Sequence, residues 1–140
     1  MPSEEKFKLK ILIAEDDFMV RQVIRDILEH YGIVDIVVNG EEAVQAFRVA
    51  SRQQEPYDLI CMDIMMPIMD GNEALVKIRE IERSLGIVGS QEVKVIMISA
   101  LDDAKTVVKA YFNGGATSYI VKPIEKERLI NEMRNIGLLA

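Results

Sequence analysis

Five short apolar runs alternate with stretches of helical periodicity along the 140 residues of this chain. In the stretches between them, apolar side chains recur every three or four positions, which is typical of an amphipathic helix. The runs begin at Leu9, Ile33, Leu59, Val93 and Thr117. Strands that alternate with helices favour a parallel sheet covered by helices on both faces. We therefore predict an α/β fold with five strands and five helices.

Polar residues and glycines mark the ends of the predicted helices. Asp17 and Asn39 each precede a helical stretch and are predicted N-caps, while Gly32 is predicted to stop the first helix. The predicted buried faces of the first and third helices are Val20, Val23, Ile24, Ile27, Leu28 and Tyr31, and Ala74, Ile78, Ile81 and Leu85. The fourth helix is predicted from Asp103 to Asn113, ahead of a last strand and a last helix.

The charge balance limits the partners that this chain can bind. It carries 17 basic and 23 acidic residues and a net charge of −6, which disfavours direct binding to nucleic acid or to an anionic membrane surface. No apolar run approaches the roughly 18 residues of a membrane span. Cys61 is the only cysteine, so an internal disulfide is impossible. Together these features predict a cytoplasmic protein.

No linker, internal repeat or low-complexity segment divides the chain. We predict a single domain over residues 1–140, in which residues 1–8 form a short polar N-terminal tail. The chain ends at Ala140, directly after the last predicted helix, so we expect a stand-alone protein without an output domain.

Polar side chains follow four of the five predicted strands. Glu15 and Asp16 follow the first strand, Asp63 the third, Ser99 ends the fourth and Lys122 ends the fifth. Parallel strands place their carboxyl ends along one edge of the sheet, so we expect these groups to lie close together. Three neighbouring carboxylates must raise their pKa values or bind a cation. Oxygen ligands favour Mg²⁺, Ca²⁺ or Mn²⁺, and Mg²⁺ with a phosphate suits this set best.

The same residues belong to longer motifs that agree in identity, order and strand position. The motifs are Glu15-Asp16, Asp63 with Met65-Met66-Pro67 and Asp70-Gly71, Ser99-Ala100, and Tyr119 to Pro123. The pattern resembles the receiver domain of two-component response regulators, and it covers about residues 8–137. That resemblance implies a flavodoxin-like, doubly wound five-stranded parallel sheet in the order 2-1-3-4-5, with five helices on two faces.

The resemblance also implies a reaction. Asp63 is expected to take a phosphoryl group from a phosphohistidine, carried by a histidine kinase or a histidine phosphotransfer protein, in a Mg²⁺-dependent step. The chain would then be a signalling protein of a phosphorelay and not an enzyme. It would meet a downstream protein or a second copy of itself through strand five and the last two helices.

Each site residue receives a role from the resemblance. Glu15, Asp16, Asp63 and the Met65 backbone carbonyl are expected to hold Mg²⁺. The phosphoryl oxygens would be bound by Lys122 and Ser99. Tyr119 would report the phosphoryl group by changing rotamer, and the Lys122–Pro123 peptide bond is expected to be cis.

Two alternatives remain open from the residues. A haloacid-dehalogenase-type phosphatase also uses a strand-end aspartate and Mg²⁺. Its nucleophile belongs to an Asp-x-Asp motif in which the second acid transfers protons, and Met65 occupies that second position here. A degenerate receiver would signal without phosphate, which the intact acid, hydroxyl and lysine set disfavours.

Overall fold

A computed structural model describes residues 8–100 and 115–140 of the chain. Within these residues there are five strands and four α-helices, with a short 3-10 turn at Gly89–Gln91. The elements are β1 Leu9–Ala14, α1 Phe18–Leu28, β2 Gly32–Val37, α2 Gly40–Arg52, β3 Leu59–Asp63, α3 Gly71–Ser84, β4 Lys94–Ser99, β5 Ser118–Val121 and α4 Lys126–Asn135. The helix predicted from Asp103 to Asn113 lies outside the described residues.

All five strands are parallel, in the order β2-β1-β3-β4-β5. This confirms the predicted flavodoxin-like order, with β2 at one edge. The register pairs Ala14 with Met62 and Asp63 with Ile98, so the carboxyl ends of the central strands are level with one another. Residues that follow these strands therefore meet at one edge of the sheet.

The central strands are buried on both faces, which explains why their sequences are continuously apolar. Leu12 and Ile60 belong to the core beneath α2 and α3, whereas Ile11 and Ile13 belong to the core beneath α1 and α4. Cys61 lies fully buried in the second core, where burial raises the pKa of its thiol to about 12. The thiol is therefore a packing group.

Side-chain caps start three of the helices. Asp17, Asn39 and Asp70 each accept a hydrogen bond from the backbone N–H three residues later, at 3.1, 2.8 and 2.8 Å. Both predicted N-caps are thus confirmed. None of the helices among the described residues is long and apolar enough to cross a bilayer.

The predicted stop of the first helix at Gly32 is wrong. Helix α1 ends at Leu28, where the N–H of Glu29 donates to the Arg25 carbonyl, and Gly32 is the first residue of β2. A Cβ at Gly32 would collide with the backbone of Leu9 on β1. Glycine is present here because two backbones approach closely, and not to end a helix.

Two residues predicted on buried helix faces are exposed instead. Val23 on α1 is 43% exposed, and Leu85, just past the end of α3, is 56% exposed. Side chains are buried where a helical turn contacts the sheet, and the last residues of α3 extend beyond the sheet. The polar residues of α3 that are buried unexpectedly are Asn72, Arg79 and Glu82.

Arg79 and Glu82 form a buried ion pair with an Nη1–Oε1 distance of 2.7 Å. Arg79 also donates to the carbonyl oxygens of Val93 and Gly115, while Glu82 accepts from the Val93 N–H at 2.7 Å. The pair therefore connects α3 to the start of β4 and to the chain that enters β5. Every polar atom of such a pair needs a partner, since burial removes its water.

Candidate functional site

The ends of four strands position the candidate site. Glu15 follows β1 directly, Asp63 is the last residue of β3, Ser99 is the last residue of β4, and Lys122 follows β5. The level register of the parallel strands brings these side chains to one edge of the sheet. The gathering of groups predicted from the strand ends is therefore present in the structure.

Three carboxylates form the acidic part of this site. Glu15, Asp16 and Asp63 each have an oxygen within 4.8 Å of an oxygen of the other two. Glu15 and Asp63 are buried, whereas Asp16 is exposed, so the cluster opens to solvent on one side. Oxygen ligands grouped in this way fit a hard divalent cation such as Mg²⁺.

Burial and crowding change the protonation of Glu15. Its pKa is raised to about 7, mainly by burial and further by contact with the Asp63 carboxylate. The Asp17 N–H, which donates to Glu15 Oε2 at 3.1 Å, and the charge of Lys122 act in the opposite direction without cancelling it. Without a cation, the cluster therefore holds a proton near neutral pH more readily than an isolated glutamate does.

Lys122 contacts both buried acids. Its Nζ lies 3.2 Å from Asp63 Oδ2 and 3.3 Å from Glu15 Oε1. Burial by itself would lower the pKa of Lys122, but Asp63 and then Glu15 raise it above its ordinary value. The ammonium is thus kept charged beside Asp63. The Lys122–Pro123 peptide bond is cis, as expected from the resemblance.

Ser99 brings a hydroxyl to the same edge. Its side chain is 1% exposed, and within residues 8–100 and 115–140 its Oγ has no hydrogen-bond partner. The Ser99 carbonyl accepts from the Lys122 N–H at 2.8 Å, which ties the two strand ends together. A buried hydroxyl without a partner is costly and is well suited to bind an incoming oxygen.

Two other predicted site residues lie near this edge in different settings. Met65 follows Asp63 in the loop before α3, and its N–H faces Asp63 Oδ1 at 3.4 Å. Tyr119 lies on β5 beside Met97 and is 36% exposed. The metal-ligand role of the Met65 carbonyl and the switch role of Tyr119 stay predictions.

Large exposed apolar side chains lie in the segments that adjoin the acidic cluster, and the sequence reasoning did not predict their exposure. Phe18, Met19, Met65 and Ile68 are 63 to 77% exposed, and all four lie in or next to the segments that follow β1 and β3. A groove of about 460 Å³ also runs beside Lys122. It is lined by Met19, Val20, Val23, Lys122, Pro123 and Ile124. The signal available in the sequence was that Phe18 and Met19 fall outside the buried period of α1.

Comparison with known proteins gives consistent matches. The family model described as response regulator receiver domain matches residues 11–134. A chemotaxis protein CheY of Treponema pallidum is 34% identical over 129 residues, which cover 91% of this chain and 81% of that protein.

Two solved structures are similar in fold and above 25% identity. One is the complex of the Saccharomyces cerevisiae phosphotransfer protein Ypd1 with the receiver domain of Ssk1 (TM-score 0.79, 26% identity, 93% of this chain and 89% of that one). The other is the CheX–CheY–BeF₃–Mg complex of Borrelia burgdorferi (TM-score 0.73, 30% identity, 91% and 88%).

Proposed function

The chain belongs to the response regulator receiver family, and on that premise we propose that Asp63 accepts a phosphoryl group from a phosphohistidine. The donor is a histidine kinase or a histidine phosphotransfer protein. The observation that carries this proposal is the position of Asp63, which contacts Lys122 and lies within the acidic cluster. A carboxylate held between an ammonium and a cation site is prepared to attack phosphorus.

The proposed step exchanges one bond for another. An Asp63 oxygen forms a bond to phosphorus as the bond between phosphorus and the donor imidazole nitrogen breaks. The electron pair of that bond stays on the imidazole, which takes up a proton. Lys122 is already 3.2 Å from the acceptor carboxylate and can pair with a phosphoryl oxygen, and the unpartnered Ser99 hydroxyl can donate to another.

Glu15, Asp16, Asp63 and the Met65 carbonyl are the residues that would hold Mg²⁺. The three carboxylates fit this role because their oxygens converge within 4.8 Å and because Glu15 resists ionisation when no cation is present. A bound Mg²⁺ would neutralise the negative charge of the transferring phosphoryl group. The similar Borrelia burgdorferi complex was solved with both BeF₃ and Mg, which supports Mg²⁺ as the cation proposed here.

The apolar surface around the site supports docking of a protein donor. Exposed Phe18, Met19 and Ile68 lie around a strongly polar centre, and large exposed apolar side chains grouped in this way mark protein interfaces. The Ypd1–Ssk1 complex shows that a similar receiver domain binds a phosphotransfer protein. We propose the same class of partner for this chain.

The proposal also covers how phosphorylation of Asp63 would change a protein-binding surface away from the site. We propose that Ser99 moves onto the phosphoryl group and that Tyr119 then changes rotamer, which alters the face formed by β5, α4 and the helix predicted at residues 103–113. That face would bind a downstream protein or a second copy, not nucleic acid. We also propose that residues 1–140 form one receiver domain, that it is cytoplasmic, and that it signals instead of turning over substrate.

Chemical labelling tests the acceptor. With Mg²⁺ and acetyl phosphate, the intact mass of the protein should increase by one phosphoryl group, and Asp63→Asn should gain none. Asp17→Asn is a matched control, because Asp17 is an exposed neighbouring acid and asparagine is an equally good N-cap. Labelling of Asp63→Asn at the wild-type level would contradict the proposal.

A further inference from the structure

A second groove lies between the last turns of α2 and α3. Its volume is about 290 Å³. The lining residues are Arg48, Ser51, Arg52, Ile81, Ser84 and Leu85. None of them belongs to the acidic cluster or to its apolar surroundings, and the proposed phosphoryl chemistry uses none of them.

This groove lies at the opposite end of the molecule from Asp63. In a parallel sheet each connecting helix runs back against the direction of the strands, so α2 and α3 end near the amino ends of the strands. Asp63 and Lys122 lie at the carboxyl ends. An occupant of the groove would therefore leave the phosphoacceptor edge open to its own partner.

The floor of the groove is apolar and incompletely covered. Ile81 is partly buried and packs against the core beneath α2 and α3. Leu85 is 56% exposed, although periodicity predicts it on the buried face. Both side chains line the groove and leave apolar surface exposed there, which a bulky apolar side chain would bury favourably.

Two arginines border that floor. Arg48 and Arg52 are four residues apart and so lie on one face of α2. Neither occurs in any of the ion pairs found among residues 8–100 and 115–140. Arg52 lies in the last turn of α2, where its positive charge interacts favourably with the helix dipole. Arg48 lies one turn earlier, beyond most of that effect, so the dipole does not explain the pair.

We propose that this groove binds an acidic, amphipathic segment of a partner protein. An apolar side chain of that segment would pack on Ile81 and Leu85, while its carboxylates would pair with Arg48 and Arg52, whose planar guanidinium groups suit bidentate pairing. The charge is complementary because the groove is locally basic on a chain with a net charge of −6. A polyanion without apolar groups would leave the floor uncovered and would be repelled by the rest of the surface.

Titration with a defined peptide tests the groove. The probe is a helical peptide with leucines along one face and flanking glutamates, added to the ¹⁵N-labelled full chain without Mg²⁺ or a phosphoryl donor. We expect amide shifts concentrated at residues 48–52 and 81–85. Arg48→Gln/Arg52→Gln should weaken binding about tenfold or more. Lys8→Gln/Arg25→Gln, which removes two exposed basic residues outside the groove, should leave the affinity unchanged.

The inference would be overturned if the peptide did not bind, if both double variants weakened binding equally, or if the shifts were centred outside the groove. Equal binding of a peptide with glutamines in place of the glutamates would show that charge plays no part and would also contradict it. Since the protein is unphosphorylated throughout, the outcome is independent of the phosphoacceptor proposal for Asp63.

Discussion

Glu15 combines full burial with a position between an acid and a lysine. Its side chain has no solvent exposure, it lies within the cluster that contains Asp63, and its Oε1 is 3.3 Å from Lys122. Burial and the neighbouring carboxylate raise its pKa to about 7, although the Lys122 ammonium acts to lower it. A buried acid of this kind lowers the stability of the metal-free fold and favours the binding of a cation.

Glu15→Gln is expected to stabilise the metal-free protein above pH 7. The folded-state pKa of about 7 lies above the ordinary glutamate value of 4.5, so the native state holds the proton more tightly than the unfolded state. Stability should therefore fall as the pH rises from about 4.5 to 7 and stay lower above it. Glu15→Gln should not show this decrease, so at pH 8 its free energy of unfolding should exceed that of wild type by about 1 to 3 kcal/mol. Urea unfolding in the presence of a chelator, from pH 4.5 to 8, measures the difference.

The exposed glutamate Glu80 provides a matched control in the variant Glu80→Gln, which should follow the wild-type pH profile. If Glu15→Gln and wild type lost stability equally between pH 4.5 and 8, the raised pKa of Glu15 would be contradicted.

At the scale of elements, the strands and helix starts were predictable because their signals are local. Buried strands require continuous apolar runs, and Asp17 and Asn39 cap helices through their own neighbouring N–H groups. The predictions at Gly32 and Leu85 failed because tertiary packing decides those positions. Gly32 is determined by the approach of β1, and the exposure of Leu85 depends on where α3 leaves the sheet.

The buried pair of Arg79 and Glu82 could not be found from the sequence. An arginine and a glutamate three residues apart on a helix are common at the surface, and their burial depends on distant partners. These partners are the Val93 backbone, 11 and 14 residues away, and the Gly115 carbonyl, 36 residues away. Only the packed structure brings them together.

Arg79→Met should lower the free energy of unfolding by about 3 to 5 kcal/mol, because it leaves Glu82 buried without its charge partner. It also removes the donors to the carbonyls of Val93 and Gly115. Arg83→Met, at an exposed position of the same helix, should change stability by less than about 0.5 kcal/mol. Urea unfolding of both variants makes the comparison, and a loss below about 1 kcal/mol for Arg79→Met would show that the pair is not structurally important.

At the scale of the whole molecule, the parallel sheet explains why the site was predictable. Once five parallel strands are assigned, their carboxyl ends must lie along one edge, so residues more than 100 positions apart, such as Glu15 and Lys122, come within 3.3 Å. The apolar surroundings of the site were not predictable in the same way. Phe18 and Met19 are ordinary apolar residues until their exposure is known.

Transmission of the signal is also a property of the whole molecule. A phosphoryl group acts at a distance only by favouring one of two conformations. We expect phosphorylation to shift amide signals at residues 117–129 more than those at 41–50, and Ser99→Ala to reduce the shift at 117–129. Two-dimensional NMR of the phosphorylated protein measures both. An equal response in Ser99→Ala would refute the relay. We expect amide shifts at residues 104–111 as well, a segment that lies outside the described residues.

The acceptor role of Asp63 is best measured as phosphotransfer from a phosphohistidine. A histidine phosphotransfer protein carrying a radiolabelled phosphoryl group is mixed with the chain, with and without Mg²⁺, and the label on each protein is followed in time. We predict Mg²⁺-dependent loss of label from the donor and its appearance on wild-type protein, with none on Asp63→Asn. Transfer to Asp63→Asn, or steady release of inorganic phosphate without any labelled chain, would contradict it.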